Sequence, residues 1–422
     1  MKTTALRLYG KKDIRLEAFE LPEITENEIL AKVVTDSACM SSYKAVIQGN
    51  EHKRVPKDIE EKPIILGHEL CGTILKVGKR WSNQFKEGDN FVIQPALNYK
   101  GSLDAPGYSY QYIGGDAQYI IIPSEVMETN NLIKYKSSKY YLGSLSEPIS
   151  CIIGAFNASY HTVPGTYNHI MGTKPQGNML VLAGGGPMGL CAIDYVLNAY
   201  ENKPKLLIVT DIDNSRIERA KRYFAPTDIK VEFLCTKNIQ DQYNELMMLS
   251  NNEGFDDVFV FAPSSQLLEI GNQLLSRDGC LNFFAGPTEK DFEARVNFYD
   301  VHYASTHIVG TSGGNRDDMI KAVKLIEEGK LSPEHMITHI GGLDSSLYTT
   351  LNLPLINGAK KLIYTGISLP LTSIEDFDRL SKEEGKHKEL FTKLHLICEK
   401  NQGAWCKEAE DCLLENGTKL EM

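Results

Sequence analysis

Between Asn178 and Asp211 an apolar run, a glycine-rich turn, a second apolar stretch and a carboxylate follow one another, and this order constrains the fold more than any other feature. Asn178–Ala183 has the length and composition of a buried strand, and Leu190–Tyr200, beyond the turn, has those of a helix. The turn, Gly184-Gly185-Gly186-Pro187-Met188-Gly189, matches G-x-G-x-x-G. Such a match is weak by itself. Its context strengthens it: a strand before, a helix after, and Asp211 about 20 residues on, at the end of the next apolar run. Gly184 then permits the tight turn, Gly186 lets the backbone approach a pyrophosphate, and Gly189 lets the helix close on the sheet. The helix N-terminus offers free N–H groups and a positive dipole end to the phosphates. Asp211 suits the ribose hydroxyls and repels a 2′-phosphate, so NAD(H) is favoured over NADP(H). Arg216, one turn later, is placed either to stack on adenine or to meet a 2′-phosphate and soften that preference. The plain alternative is a strand–turn–helix with no ligand.

On either side of this segment the pattern differs. Up to about Pro148 the chain reads as short strands broken by Gly, Pro, Asn and Asp, among them Ile29–Val34, Gly72–Val77, Asn90–Ile93 and Tyr119–Ile122. After about Ala155 strands and helices alternate: Leu206–Thr210, a polar helix from Asn214, then Lys230–Leu234, Asp256–Phe261 and Cys280–Ala285. That alternation implies a parallel sheet with crossover helices. From about Val301 it changes again, with a helix over Asp317–Gly329, a strand over Lys361–Thr365 and a charged helical tail. A chain of 422 residues has room for two or three domains at roughly 150 residues each.

The strand-rich part carries the metal chemistry. Cys39 lies upstream of Gly67-His68-Glu69, and thiolate, imidazole and carboxylate together suit Zn²⁺. Three protein ligands and one open position are the catalytic arrangement. Glu147, in Ser146-Glu147-Pro148, is a candidate third ligand beside Glu69. It also reads as an acid at a helix start, stabilised by the dipole with Pro148 in the first turn.

The pattern G-H-E-x-x-G-x-x-x-x-x-G from Gly67 to Gly78, with Cys39 upstream and the dinucleotide segment downstream, resembles the zinc-containing medium-chain alcohol and sorbitol dehydrogenase superfamily. The resemblance implies an α/β protein: a GroES-like β-rich catalytic domain (1–155), a Rossmann doubly wound parallel sheet binding NAD (156–300), and a return to the catalytic domain with a helical C-terminal extension (301–422). It places the active site between the two domains. It carries one catalytic zinc onto Cys39 and His68, with Glu147 preferred at rest and Glu69 able to exchange onto the metal. Ser41 falls on the relatives' proton relay, and Lys44 stands where they often have histidine, either as an outer relay member or as a surface lysine. Where many relatives hold a structural zinc, Pro95–Gln111 contains no cysteine, so a second ion is not expected. Homo-oligomers are common among such proteins.

Longer stretches, including 49–56, 108–123, 146–156 and 297–314, resemble a bacterial polyol-phosphate branch of that superfamily. The implied reaction is reduction of a ketose phosphate, L-sorbose 1-phosphate to D-glucitol 6-phosphate, and the reverse. A phosphate needs cations, and His52, Lys53 and Arg54 form a compact basic group soon after Cys39, although a solvated loop reads the same way. Another polyol or polyol phosphate, or threonine, stays open as substrate, as does a non-catalytic nucleotide-binding protein. The net charge of −10 argues against nucleic acid or an anionic membrane as partner. No run is long and apolar enough to span a bilayer, and the N-terminus lacks the apolar run of a signal peptide. Nine scattered cysteines without a C-x-x-C fit a reducing, cytoplasmic setting.

Overall fold

The computed structural model describes residues 1–224, 228–237 and 242–421. It forms two compact units, one joining Met1–Glu147 to Pro333–Met422 and the other the continuous stretch Pro148–Ser332.

The continuous unit is built on a six-stranded parallel sheet. Its spatial order is Lys230–Cys235, Leu206–Asp211, Asn178–Leu182, Phe255–Val260, Leu275–Phe283 and His307–Gly310. Every residue of Asn178–Leu182, Leu206–Asp211 and Phe255–Val260 is buried, which is why these strands read as unbroken apolar runs rather than alternating ones. The strand order reverses at Asn178–Leu182. In an open parallel sheet, the carboxyl end of the strand at such a reversal is where ligands bind.

Both borders of this unit differ from those the sequence predicts near 155 and 300. The Ser146–Ala158 helix is tied into the unit by Asn282, whose Nδ2 donates to Ala155 O at 2.9 Å, and by Asn157, whose Nδ2 donates to Asp318 Oδ1 at 2.7 Å. At the other end, His307–Gly310 adds the sixth strand, and the Arg316–Glu327 helix follows it with a capping box from Asn315 and Asp318. The chain leaves only after Ser332.

In the discontinuous unit Ile29–Ser37 is the central strand. It pairs antiparallel with Leu70–Val77, Tyr119–Ile122 and Lys360–Tyr364. Beyond these, Asn90–Ile93 and Leu132–Lys134 extend one side, and Ile337–Gly342 lies parallel to Lys360–Tyr364 on the other. Ile29, Ala31, Val33, Ile74, Phe91 and Ile120 share one core, the period-two pattern expected of strands with one face inward. The helical tail belongs to the same unit. Trp405 is fully buried and donates from Nε1 to the Tyr364 hydroxyl at 2.9 Å. Glu410, also fully buried, accepts the Tyr140 and Tyr141 N–H groups at 3.0 and 2.8 Å, at the start of the Tyr140–Ser144 helix. Among the described residues no helix is long and apolar enough to cross a membrane.

Candidate functional site

Cys39 follows the Ile29–Ser37 strand and caps the Met40–Gln48 helix, while His68 and Glu69 directly precede the neighbouring Leu70–Val77 strand. The register pairs Asp36 with Leu70, so the end of one strand meets the start of the other. Ser37 N–H donates to Glu69 O at 3.1 Å, and Glu69 N–H donates to Asp36 Oδ1 at 3.0 Å, locking that junction. Gly67 turns the chain into it with φ of 88°, and a Cβ there would come within 2.6 Å of the Asp116 backbone nitrogen. A side chain is excluded on both counts, which explains the glycine before His68.

Cys39 Sγ, a ring nitrogen of His68 and a carboxylate oxygen of Glu69 all lie within 4.8 Å of one another. Among the described residues this is the group of donor side chains gathered closely enough to hold a metal ion. Glu147 is buried and near enough for its charge to act on Cys39, Tyr108 and Lys360, yet it stands outside the group. The sequence ranks Glu147 ahead of Glu69 at rest; the strand register carries Glu69 to Cys39, where it is paired with Lys360.

Four neighbours orient these donors. Ser42 Oγ lies 3.2 Å from His68 Nδ1, and the Tyr108 hydroxyl lies 3.2 Å from Nε2. Glu69 accepts from the Ser37 hydroxyl and from the buried Lys360 ammonium, which is 2.6 Å from Oε1. Burial alone would lower Lys360, but Glu69, Cys39 and Glu147 together carry it above its ordinary value. His68 is pushed down to about 3, by burial first and then by Lys360 and Arg54, so its imidazole is neutral. The Cys39 thiol is pushed up to about 12, by burial first and then by Glu69. Two carboxylates and a thiol thus surround a single ammonium. A divalent ion suits that balance, since it offsets the excess negative charge and favours the thiolate. The donor chemistry fits zinc.

Ser41 and Lys44 lie on the Met40–Gln48 helix at i, i+3 spacing and so share a face. Lys44 is half-buried and shifted down by that burial. Ser41 neighbours Tyr108, whose hydroxyl is held well above its ordinary pKa by burial. Two members of the basic group also stand against Tyr108. The His52 ring stacks on it at 5.7 Å and 10°, and the Arg54 guanidinium sits over it, 5.4 Å from the centroid. Lys53 is exposed.

In the continuous unit, Gly186 caps the Pro187–Asn198 helix without a side-chain partner, and a Cβ on it would meet open space. A Cβ on Gly189 would strike the Gly184 backbone, and one on Gly184 would come 2.6 Å from Val209. The first position leaves room for a phosphate, and the other two allow close packing. Asp211 ends its strand and accepts the Gly185 N–H at 3.0 Å, so its carboxylate lies beside the turn. Arg216 is close by, 3.7 Å from Asp213, with its Cβ against Gly185. A pyrophosphate-sized anion fits this strand–turn–helix.

The sequence did not single out Tyr108, Ser42 or Lys360. Tyr108 closes the stretch noted for the cysteines it lacks and opens one noted for its resemblance, and neither observation gives the tyrosine a role. Ser42 was within reach, one residue past Ser41 on a short helix that the strand-like pattern of the region hides. Lys360 had no local signal, being 291 residues from Glu69.

A family model described as the alcohol dehydrogenase GroES-like domain matches residues 25–130. The L-sorbose 1-phosphate reductase of Klebsiella pneumoniae is 48% identical over 418 residues, spanning 99% of this chain and 98% of that protein. The mannitol-1-phosphate 5-dehydrogenase of Aliivibrio fischeri is 46% identical over 419 residues, spanning 98% of each. Among solved structures, 2R,3R-butanediol dehydrogenase from Bacillus subtilis superposes with a TM-score of 0.71 at 21% identity, covering 86% of this chain and 99% of that one.

Proposed function

The chain belongs to the zinc-containing medium-chain alcohol and sorbitol dehydrogenase superfamily, and on that premise we propose that it is a zinc-dependent oxidoreductase exchanging hydride between NAD(P)H and a ketose phosphate. Its substrate pair in this reading is L-sorbose 1-phosphate and D-glucitol 6-phosphate. One observation carries the chemistry: thiol, neutral imidazole and carboxylate converge at Cys39, His68 and Glu69 beside the hydroxyl of Tyr108 and its neighbour Ser41. The likeness to the reductase across nearly the whole chain supports the choice of substrate. The comparably similar mannitol-1-phosphate 5-dehydrogenase supports a second reading, in which the phosphate lies far from the reacting carbon.

Bound zinc supplies a Lewis acid that polarises the substrate carbonyl, and the nicotinamide supplies or accepts the hydride. The chain does the rest. With Nδ1–H donating to the Ser42 hydroxyl, His68 would turn its Nε2 lone pair, now facing the Tyr108 hydroxyl, to the metal. Lys360 holds Glu69 and sets how freely its carboxylate reaches Cys39 and His68. Glu147 is the reserve donor. Ser41 passes the substrate hydroxyl proton, with Tyr108 adjoining and Lys44 as the outer member on the same helix face. In the other unit, Gly184, Gly186 and Gly189 shape the pyrophosphate turn, Asp211 takes the ribose hydroxyls in favour of NAD(H), and Arg216 borders the adenosine. Lys53 and Arg54 supply the positive field for the phosphate, and neutral His52 offers a hydrogen bond beside them.

The test is NADH oxidation with a panel of ketose phosphates, run beside metal analysis. Wild-type protein should hold zinc, turn over L-sorbose 1-phosphate and lose activity on chelation. Cys39→Ser and His68→Ala should lose the metal and turnover while still binding NADH. Full activity in a metal-free protein would overturn the reading.

A further inference from the structure

The two similar enzymes differ, by their names, in where phosphate stands relative to the reacting carbon. A 1-phosphorylated 2-ketose carries it on the adjacent carbon, whereas oxidation at position 5 of a 1-phosphate puts it at the far end of the chain. Resting on the reading of this site as a ketose-phosphate reductase, we propose that Arg54, laid over the ring of Tyr108, holds a phosphate on the carbon next to the reacting carbonyl. It thereby selects 1-phosphorylated 2-ketoses over those phosphorylated at the opposite end.

Arg54 is half-built into the site rather than free in solvent. Its guanidinium carbon lies 5.4 Å from the centroid of Tyr108, and its Nε–H is buried without a hydrogen-bond partner among the described residues. A buried donor left unsatisfied is costly, and a phosphate oxygen is the acceptor that a guanidinium fork matches best. The loop is fixed from both sides. Ser109 Oγ donates to Arg54 O at 2.7 Å, and the Arg54 N–H donates to His52 Nδ1 at 3.3 Å. With Nδ1 accepting, neutral His52 carries its proton on Nε2, where it is a second donor for an anion. Burial, then Arg54, Lys53 and Lys44, lower His52 to about 4, so His52 contributes a hydrogen bond and not a charge. Lys53 is exposed and adds only to the field.

Spacing decides the position of the phosphate. Tyr108 presents its hydroxyl to His68 Nε2 at 3.2 Å and its ring to Arg54, so one aromatic ring separates the metal ligand from the cation. A phosphate on the neighbouring carbon bridges that gap, and one at the far end of a six-carbon chain overshoots it.

The experiment compares kcat/KM of the zinc- and NADH-loaded enzyme for L-sorbose 1-phosphate, L-sorbose and D-fructose 6-phosphate, in wild type, Arg54→Gln and Arg54→Lys. Binding of inorganic phosphate by calorimetry provides a readout without turnover. Wild type should prefer the 1-phosphate over both others. Arg54→Gln should cut the ratio of phosphorylated to free L-sorbose on the order of 100-fold and weaken phosphate binding, with Arg54→Lys in between. Both rates of a ratio come from the same variant, so a folding loss cancels. An unchanged ratio in Arg54→Gln overturns the role of Arg54 while leaving the substrate reading intact. A wild-type preference for the 6-phosphate overturns the spacing argument. No preference for either phosphate in wild type overturns the substrate reading along with this one.

Discussion

Glu69 sits between a thiol and an ammonium, and what it does depends on which of them it faces. Its carboxylate accepts from Ser37 and from Lys360, both side chains buried, yet lies within 4.8 Å of the donor atoms of Cys39 and His68. Breaking a buried ion pair from one side leaves an uncompensated charge, which costs about 3–5 kcal/mol. Lys360→Met should therefore destabilise the metal-free protein by about that amount in urea unfolding. Adding Glu69→Gln to that variant should restore part of the loss. Zinc should stabilise Lys360→Met more than it stabilises wild type, because the freed carboxylate then has the metal as its partner. Equal stabilisation by zinc in both would argue that Lys360 does not compete for Glu69. At this scale Cys39, His68 and Glu69 were readable because soft and hard donors in one short pattern have few other uses. Tyr108 and Lys360 were not, since a tyrosine in a loop and a lysine in a strand carry no chemistry until their neighbours are known.

The elements around the site are joined by buried polar contacts whose charge state matters. Glu410, on the Lys407–Asn416 helix, accepts two N–H groups at the start of the Tyr140–Ser144 helix and the Tyr364 hydroxyl at 3.0 Å. Burial pushes its carboxyl up to about 7 despite those donors. A carboxyl raised on folding favours the folded state fully below its unfolded pKa, and that contribution is lost as pH rises to the folded value. The window here runs from about 4.5 to about 7. Glu410→Gln does not titrate, so its melting temperature relative to wild type should rise between pH 4.5 and 8, corresponding to about 2–3 kcal/mol. A pH-independent difference would mean that Glu410 is not the titrating group. The strands that the sequence marks were legible to within a few residues because apolar periodicity and breaker residues are local, while His307–Gly310 and Ile337–Gly342 were missed. The helices Met40–Gln48 and Tyr140–Ser144 were missed, being short and set among strands whose pattern dominates their surroundings.

Across the whole molecule, the chain order makes one unit continuous and the other interrupted. Residues 148–332 contain all six strands of the parallel sheet and the glycine turn, so this segment expressed alone should fold cooperatively and bind NADH. Residues 1–147 alone lack Lys360–Tyr364, the antiparallel neighbour of the central strand, and Trp405, which buries itself against it. They should stay unfolded or aggregate unless supplied with 333–422, as circular dichroism and thermal melting would show. Independent folding of 1–147 would refute the structural role given to the tail.

The amino-acid sequence by itself determined the parallel sheet, the dinucleotide turn, the pairing of Cys39 with His68 and the strand-rich character of the first unit. Each rests on periodicity or spacing within about 40 residues, where local sterics and donor chemistry leave few alternatives. Tertiary structure alone decided that Glu69 comes within reach of Cys39 and His68, that Lys360 faces it, and that Tyr108 carries Arg54 on its ring. Those choices follow from strand register and from a C-terminal strand inserted beside the first sheet, and pairings across 291 residues leave no periodic trace in either partner.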